Sequence, residues 1–93
     1  MNKYELDRTS IFKKDLKKAI KRGCDVKLLD EVIQKLLCGE PLPEKNKDHA
    51  LTGNWKGHRE CHITPDWLLV YRIIENTLIL SLVRTGSHSD LKF

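Results

Sequence analysis

Glu60-Cys61-His62-Ile63-Thr64-Pro65-Asp66-Trp67-Leu68-Leu69-Val70-Tyr71 is the stretch on which the fold turns. Its first residues alternate, with Glu60 and His62 facing one way and Cys61 and Ile63 the other, the period of a half-buried strand. Thr64-Pro65-Asp66 is built from turn-forming residues. The run 67–74 beyond it is rich in β-branched and aromatic residues and predicts a core strand. His62 and Asp66, two groups able to exchange protons, thus flank a turn with a core strand behind them. They form one wall of a candidate active site.

Toward the C-terminus, residues 77–83 read as another strand, joined to the core strand by a tight hairpin at Glu75-Asn76. Toward the N-terminus, residues 40–57 are dominated by Pro, Lys, Asn, Asp and Gly, with Leu42, Leu51 and Trp55 as apolar anchors. That is a long surface loop, of a length that is often functional. Before the loop the period is 3.6. Leu29, Val32, Ile33, Leu36 and Leu37 stripe a helix capped by Asp25 and ended at Gly39, with Pro41 and Pro43 forbidding continuation. Phe12, Leu16, Ala19 and Ile20 stripe an earlier helix, capped by Thr9 or Ser10 and stopped by Gly23. The joint between them is short, so the two helices pack antiparallel. Residues 3–7, with Tyr4 and Leu6 on one side, read as a first strand. The order β-α-α-β-β-β predicts a single α+β domain over residues 1–93, two antiparallel helices packed on a small antiparallel sheet.

A chain of 93 residues has room for one core. No apolar segment of signal-peptide length follows the N-terminus, and the apolar run 67–71 is too short to span a bilayer, so a soluble cytoplasmic protein with no membrane partner is expected. Cys24, Cys38 and Cys61 form an odd set without C-x-x-C spacing, which suits reduced thiols rather than a disulfide framework or a thiolate zinc site. A net charge of +4 and a pI near 9.1 point to an anionic partner, nucleic acid or an acidic protein.

The four histidines, His49, His58, His62 and His88, all lie outside the helical half. Any one alone is most simply a surface or structural residue. Their grouping suggests more, because an antiparallel meander can bring His49, His62 and Asp66 toward Arg84 and His88, which follow the last predicted strand. A metal site is disfavoured: His58 and His62 are four apart on a strand, about 13 Å, whereas zinc ligands converge within about 2.3 Å of the ion. No metal and no cofactor are expected. Metal-free cleavage of RNA by its own 2′-hydroxyl needs a base, a cation for the phosphoryl oxygens and an acid for the departing 5′ oxygen. Histidine suits either proton role, Asp66 is a base or an orienting group, and Arg84 offers a planar fork for phosphate oxygens. The first helix carries Lys13, Lys14, Lys17, Lys18, Lys21 and Arg22, a solvated face in itself and a backbone grip if the substrate is a phosphodiester. Lys13, Lys17 and the loop residue Lys56 are the candidate contacts. Trp67 reads as core first and as a stacking platform second, and Phe93 at the C-terminus could stack a base.

Three blocks carry a family resemblance: Lys47-Asp48-His49-Ala50-Leu51-Thr52-Gly53-Asn54-Trp55-Lys56-Gly57, then Arg59-Glu60-Cys61-His62-Ile63-Thr64-Pro65-Asp66-Trp67-Leu68-Leu69-Val70-Tyr71, then Arg84-Thr85-Gly86-Ser87-His88-Ser89-Asp90-Leu91. In order and spacing they resemble the YafQ branch of the RelE superfamily of bacterial toxin–antitoxin mRNA interferases. The likeness covers essentially the whole chain, the helical half matching in layout more than in residues. It implies a RelE-like, microbial-RNase-like fold and a ribosome-dependent endoribonuclease that cuts mRNA in the decoding site, against rRNA, and inhibits translation. It also implies a co-expressed antitoxin, RelB- or DinJ-like, whose acidic segment wraps the toxin. By the resemblance His49, His62, Asp66 and His88 occupy acid–base positions, Arg84 that of the phosphate-stabilising arginine, and Trp67 a place in the same site. His88 is the first choice for direct proton transfer; the division into acid and base stays open. His58 matches no catalytic position. The family commonly closes with His-x-x-Leu-Phe, whereas Lys92 here separates Leu91 from Phe93. The alternative is a ParE-like toxin of the same superfamily that inhibits a protein target such as gyrase. Such a binder has no need of the five grouped side chains.

Overall fold

The computed structural model describes residues 2–91, so the expected contact of Phe93 and the displacement by Lys92 lie outside the described residues. Strand β1 (Glu5–Arg8) leads into helix α1 (Ser10–Lys21) through Thr9. The Thr9 hydroxyl accepts the Phe12 N–H at 3.0 Å and donates to the Val83 carbonyl at 2.9 Å, so one residue both caps the helix and fastens its start to the sheet. Gly23, at φ +90°, reverses the chain. Helix α2 (Val26–Leu37) is capped by Asp25, and all five stripe residues are buried. In α1, Phe12 and Ala19 are buried but Ile20 is half exposed. At about 100° per residue, Ile20 stands roughly 80° round from Phe12, on the rim of the buried face.

The sheet adds β2 (His49–Ala50), β3 (Arg59–Thr64), β4 (Trp67–Ile74) and β5 (Ile79–Gly86), in the order β1-β5-β4-β3-β2. The β3–β4–β5 meander is antiparallel as expected. The sheet as a whole is mixed rather than purely antiparallel, because β1 pairs with β5 in parallel. A parallel pair needs a long crossover, and the whole intervening chain supplies it here. Being an edge strand, β1 leaves Leu6 exposed even though Tyr4 is buried. Two further differences bear on the site. Strand β5 runs on to Gly86, so Arg84 lies inside it rather than after it, and the long loop contains the two-residue strand β2 plus 3-10 turns at Glu44–Asn46 and Gly53–Trp55.

The main core fills the space between the helices and one sheet face, with Phe12, Leu29, Cys61, Leu69, Tyr71 and Leu82 at its centre. Burial pushes the Cys61 thiol up to about 12, which keeps it an unreactive thiol. A smaller core lies on the other face, where Leu68, Val70 and Leu91 meet Leu51, Trp55 and Val83. That second core draws the long loop and the C-terminal turn onto the same side of the sheet.

Candidate active site

A single row of the sheet organises the site: Leu68 of β4 pairs with His62 of β3 on one side and with Gly86 of β5 on the other. The register shifts between His62 and Thr64, a bulge of the kind that re-aims side chains near active sites. From the neighbouring loop, the Asn46 amide donates to the His62 carbonyl at 2.7 Å. Two residues beyond Gly86, His88 reaches back over this row. Its ring lies 5.5 Å from that of His62, and its Nδ1 is 3.1 Å from Asp66 Oδ1.

This contact sets the chemistry. A carboxylate can only accept, so Nδ1 of His88 carries the proton toward Asp66 and Nε2 is left to exchange one. The hydrogen bonds from His88 hold the Asp66 carboxyl below its ordinary value. Asp66 is therefore ionised at neutral pH, which fits the orienting role better than that of an acid. Strand β2 places His49 opposite Glu60. His49 Nδ1 donates to the Lys47 carbonyl at 2.7 Å, and its Nε2 is 3.4 Å from the carboxylate of the buried Glu60. Glu60 and His62 share one face of β3, so the His49–Glu60 pair sits one step along the strand from the His62–Asp66–His88 group.

Beside this group, a cavity of about 330 Å³ opens between α1 and the β4–β5 ends, with Asp66, Trp67 and Arg84 in one wall and Lys18 and Arg22 in the other. Arg84 donates to Asp15 of α1 through Nε at 2.7 Å and Nη2 at 3.2 Å. Trp67 is only 3% exposed, the core position read first from sequence, and it forms a buried wall of the cavity rather than an open stacking platform. Its indole N–H donates to the Thr85 hydroxyl at 2.8 Å, which in turn donates to the Leu68 carbonyl at 2.7 Å. Asp90 accepts the Ser87 N–H at 3.0 Å and pairs with Arg22 at 2.5 Å, tying the turn that carries His88 to α1.

The structure thus brings His62, Asp66 and His88 together, sets His49 beside them, and places Arg84 on the wall shared with Asp66. It does not bring Lys13 and Lys17 to the cavity. The helical wall is Asp15, Lys18, Ala19 and Arg22, and Lys13 and Lys17 each lie two residues, about 200° of helix, from Asp15. Both are exposed, as is Lys56 after the second 3-10 turn. His58 stands edge-on to Trp55 at 5.3 Å, with Nδ1 buried and unpaired among the described residues. Glu60, Asp15 and Asp90 escaped the sequence reading. Glu60 was detectable from its alternation with His62; the acidic partners on α1 and after β5 carry no local signal. Among the described residues, no three His, Cys, Asp or Glu side chains are grouped as metal ligands, and no helix is long and apolar enough to cross a membrane.

A family model described as a bacterial toxin of type II toxin–antitoxin systems, YafQ, matches residues 4–93. The chain is 37% identical over 92 residues to the mRNA interferase toxin YafQ of Escherichia coli K12, covering 98% of each sequence. It superimposes on the toxin of the E. coli DinJ–YafQ complex with a TM-score of 0.88 at 36% identity, over 98% of this chain and 99% of the other. A metal-bound toxin from Helicobacter pylori is similar at a TM-score of 0.89 and 48% identity, over 95% and 98% of the two chains.

Proposed function

Because the chain belongs to the YafQ family of toxins from bacterial type II toxin–antitoxin systems, we propose that the His88 group is the site at which it cuts mRNA, by acid–base catalysis that needs no metal. It is an mRNA interferase, that is an endoribonuclease, and its partner is a cognate antitoxin of the DinJ kind. One base takes the proton of the 2′-hydroxyl, the oxygen attacks phosphorus, and an acid protonates the 5′ oxygen as its bond to phosphorus breaks. A 2′,3′-cyclic phosphate and a free 5′-hydroxyl result. His88, steered by Asp66, exchanges one of these protons at Nε2; His62 and the His49–Glu60 pair stand within reach of the other. Arg84 meets the charge that accumulates on the phosphoryl oxygens.

The observation that carries this reading is the 3.1 Å contact from His88 Nδ1 to Asp66, which leaves the other ring nitrogen free for substrate. The ribosome supplies the context in which the mRNA is presented, so the protein acts in the cytoplasm, with Lys13, Lys17 and Lys56 meeting phosphates of mRNA or rRNA. Phe93 is retained as a base contact, and an acidic antitoxin segment wraps the basic surface. The test adds purified protein to a translating extract and maps new mRNA ends. Codon-phased cuts ending in a cyclic or 3′-phosphate are expected, and His88→Ala and Asp66→Ala should reduce them by about 100- to 10,000-fold. Undiminished cleavage by His88→Ala would overturn the assignment.

A further inference from the structure

Arg84 does not reach the cavity as a free side chain. Asp15 grips its guanidinium side-on, through Nε at 2.7 Å and Nη2 at 3.2 Å, and the same carboxylate accepts the backbone N–H of Thr85 at 3.2 Å. Thr85 is itself 1% exposed and bonded to the Trp67 indole and the Leu68 carbonyl. One carboxylate on α1 therefore fixes both the side chain of residue 84 and the backbone that follows it, and the bracket continues through Thr85 to the residue beside Asp66. Nη1 of Arg84 has no hydrogen-bond partner among the described residues, while Arg84 and Asp15 both line the cavity shared with Asp66. The pair is largely shielded, with Asp15 and Arg84 side chains 15% and 29% exposed.

We propose that Asp15 is a positioning residue for mRNA cleavage, holding Arg84 so that its unpaired Nη1 edge meets the scissile phosphate. The inference rests on the reading of Arg84 as the phosphate contact given above. A free arginine side chain samples many rotamers and loses that freedom on meeting its target. Side-on pairing removes this loss beforehand and fixes the plane of the fork, and placement errors near 1 Å can cost about 100-fold in rate. The negative charge of Asp15 acts in the opposite sense, weakening the pull on an anionic substrate. Removing it should consequently harm turnover while leaving ground-state binding unchanged or tighter.

The test is a double-mutant cycle in single-turnover cleavage of mRNA on programmed ribosomes, using the full chain. Asp15→Ala should lower the cleavage rate by about 10- to 100-fold with no rise in half-saturating concentration. Asp15→Asn, which keeps the shape and one acceptor oxygen, should fall between Asp15→Ala and wild type, and Asp15→Glu should restore part of the rate. In an Arg84→Ala background, Asp15→Ala should cost nothing further. Full activity in Asp15→Ala, or an equal loss with and without Arg84, would overturn the proposal. Full activity in Arg84→Ala would remove its premise instead, so the two failures are distinguishable. Thermal melts of each variant separate a folding defect from a lost position, and a rate loss confined to variants that melt early would also overturn it.

Discussion

The His88–Asp66 contact is open to solvent at both ends, with side chains 59% and 80% exposed, so its use is orientation rather than stability. The neighbouring Asp90 behaves differently. Arg22, through its side-chain hydrogen bond, is the main cause that holds the Asp90 carboxyl far below its ordinary value, and the Ser87 backbone N–H adds to it. A carboxyl depressed by folding contributes stability above its unfolded value, about 3.9, and loses it as pH falls through the native value. Asp90→Asn should therefore melt below wild type at neutral pH, and the gap should close as the pH is taken below about 4. Melting curves that stay a fixed distance apart across that interval would show that the pair contributes nothing through its charge. At this scale the grouping was readable: His62, Asp66 and His88 were named from their types and order, and the fold sets them side by side. The acidic partners of Arg84 and Arg22 were not, because nothing in the spacing of Asp15 or Asp90 points to residues 69 or 68 positions away.

Among the elements, the turn after β5 is the most demanding. A Cβ added at Gly86 would lie 2.9 Å from Cβ of Asp90 and 3.1 Å from its Oδ2. The turn could accommodate it only by swinging outward and taking His88 with it. Gly86→Ala should cost about 1–3 kcal/mol by overpacking, read in urea melts, and should lower mRNA cleavage as well. Native stability together with native cleavage would show that the close approach is not needed. The helices were legible because a 3.6 period, a capping side chain and a closing glycine agree in each. Strand β2 was not, since two residues carry no period at all, yet it alone sets His49 against Glu60.

For the molecule as a whole, the net charge of +4 sits on a frame about 30 Å across and should draw the toxin to polyanions. If two or three phosphates are engaged, apparent affinity for ribosomes should fall about tenfold between roughly 50 and 200 mM salt. A salt-independent affinity would leave the lysines of α1 as a merely solvated face. Local sequence by itself determined both helices, the three-stranded meander, the α+β class, and a set of proton-exchanging side chains, because each rests on periodicity, turn chemistry or residue type within a short window. Only the tertiary structure decided that β1 joins in parallel, that Trp67 is a wall, that Lys18 and Arg22 rather than Lys13 and Lys17 face the cavity, and that Asp15 holds Arg84. Each of these is a relation between elements. Strand polarity and ion pairing across tens of residues are chosen by how the buried faces close together, and no local pattern records that choice.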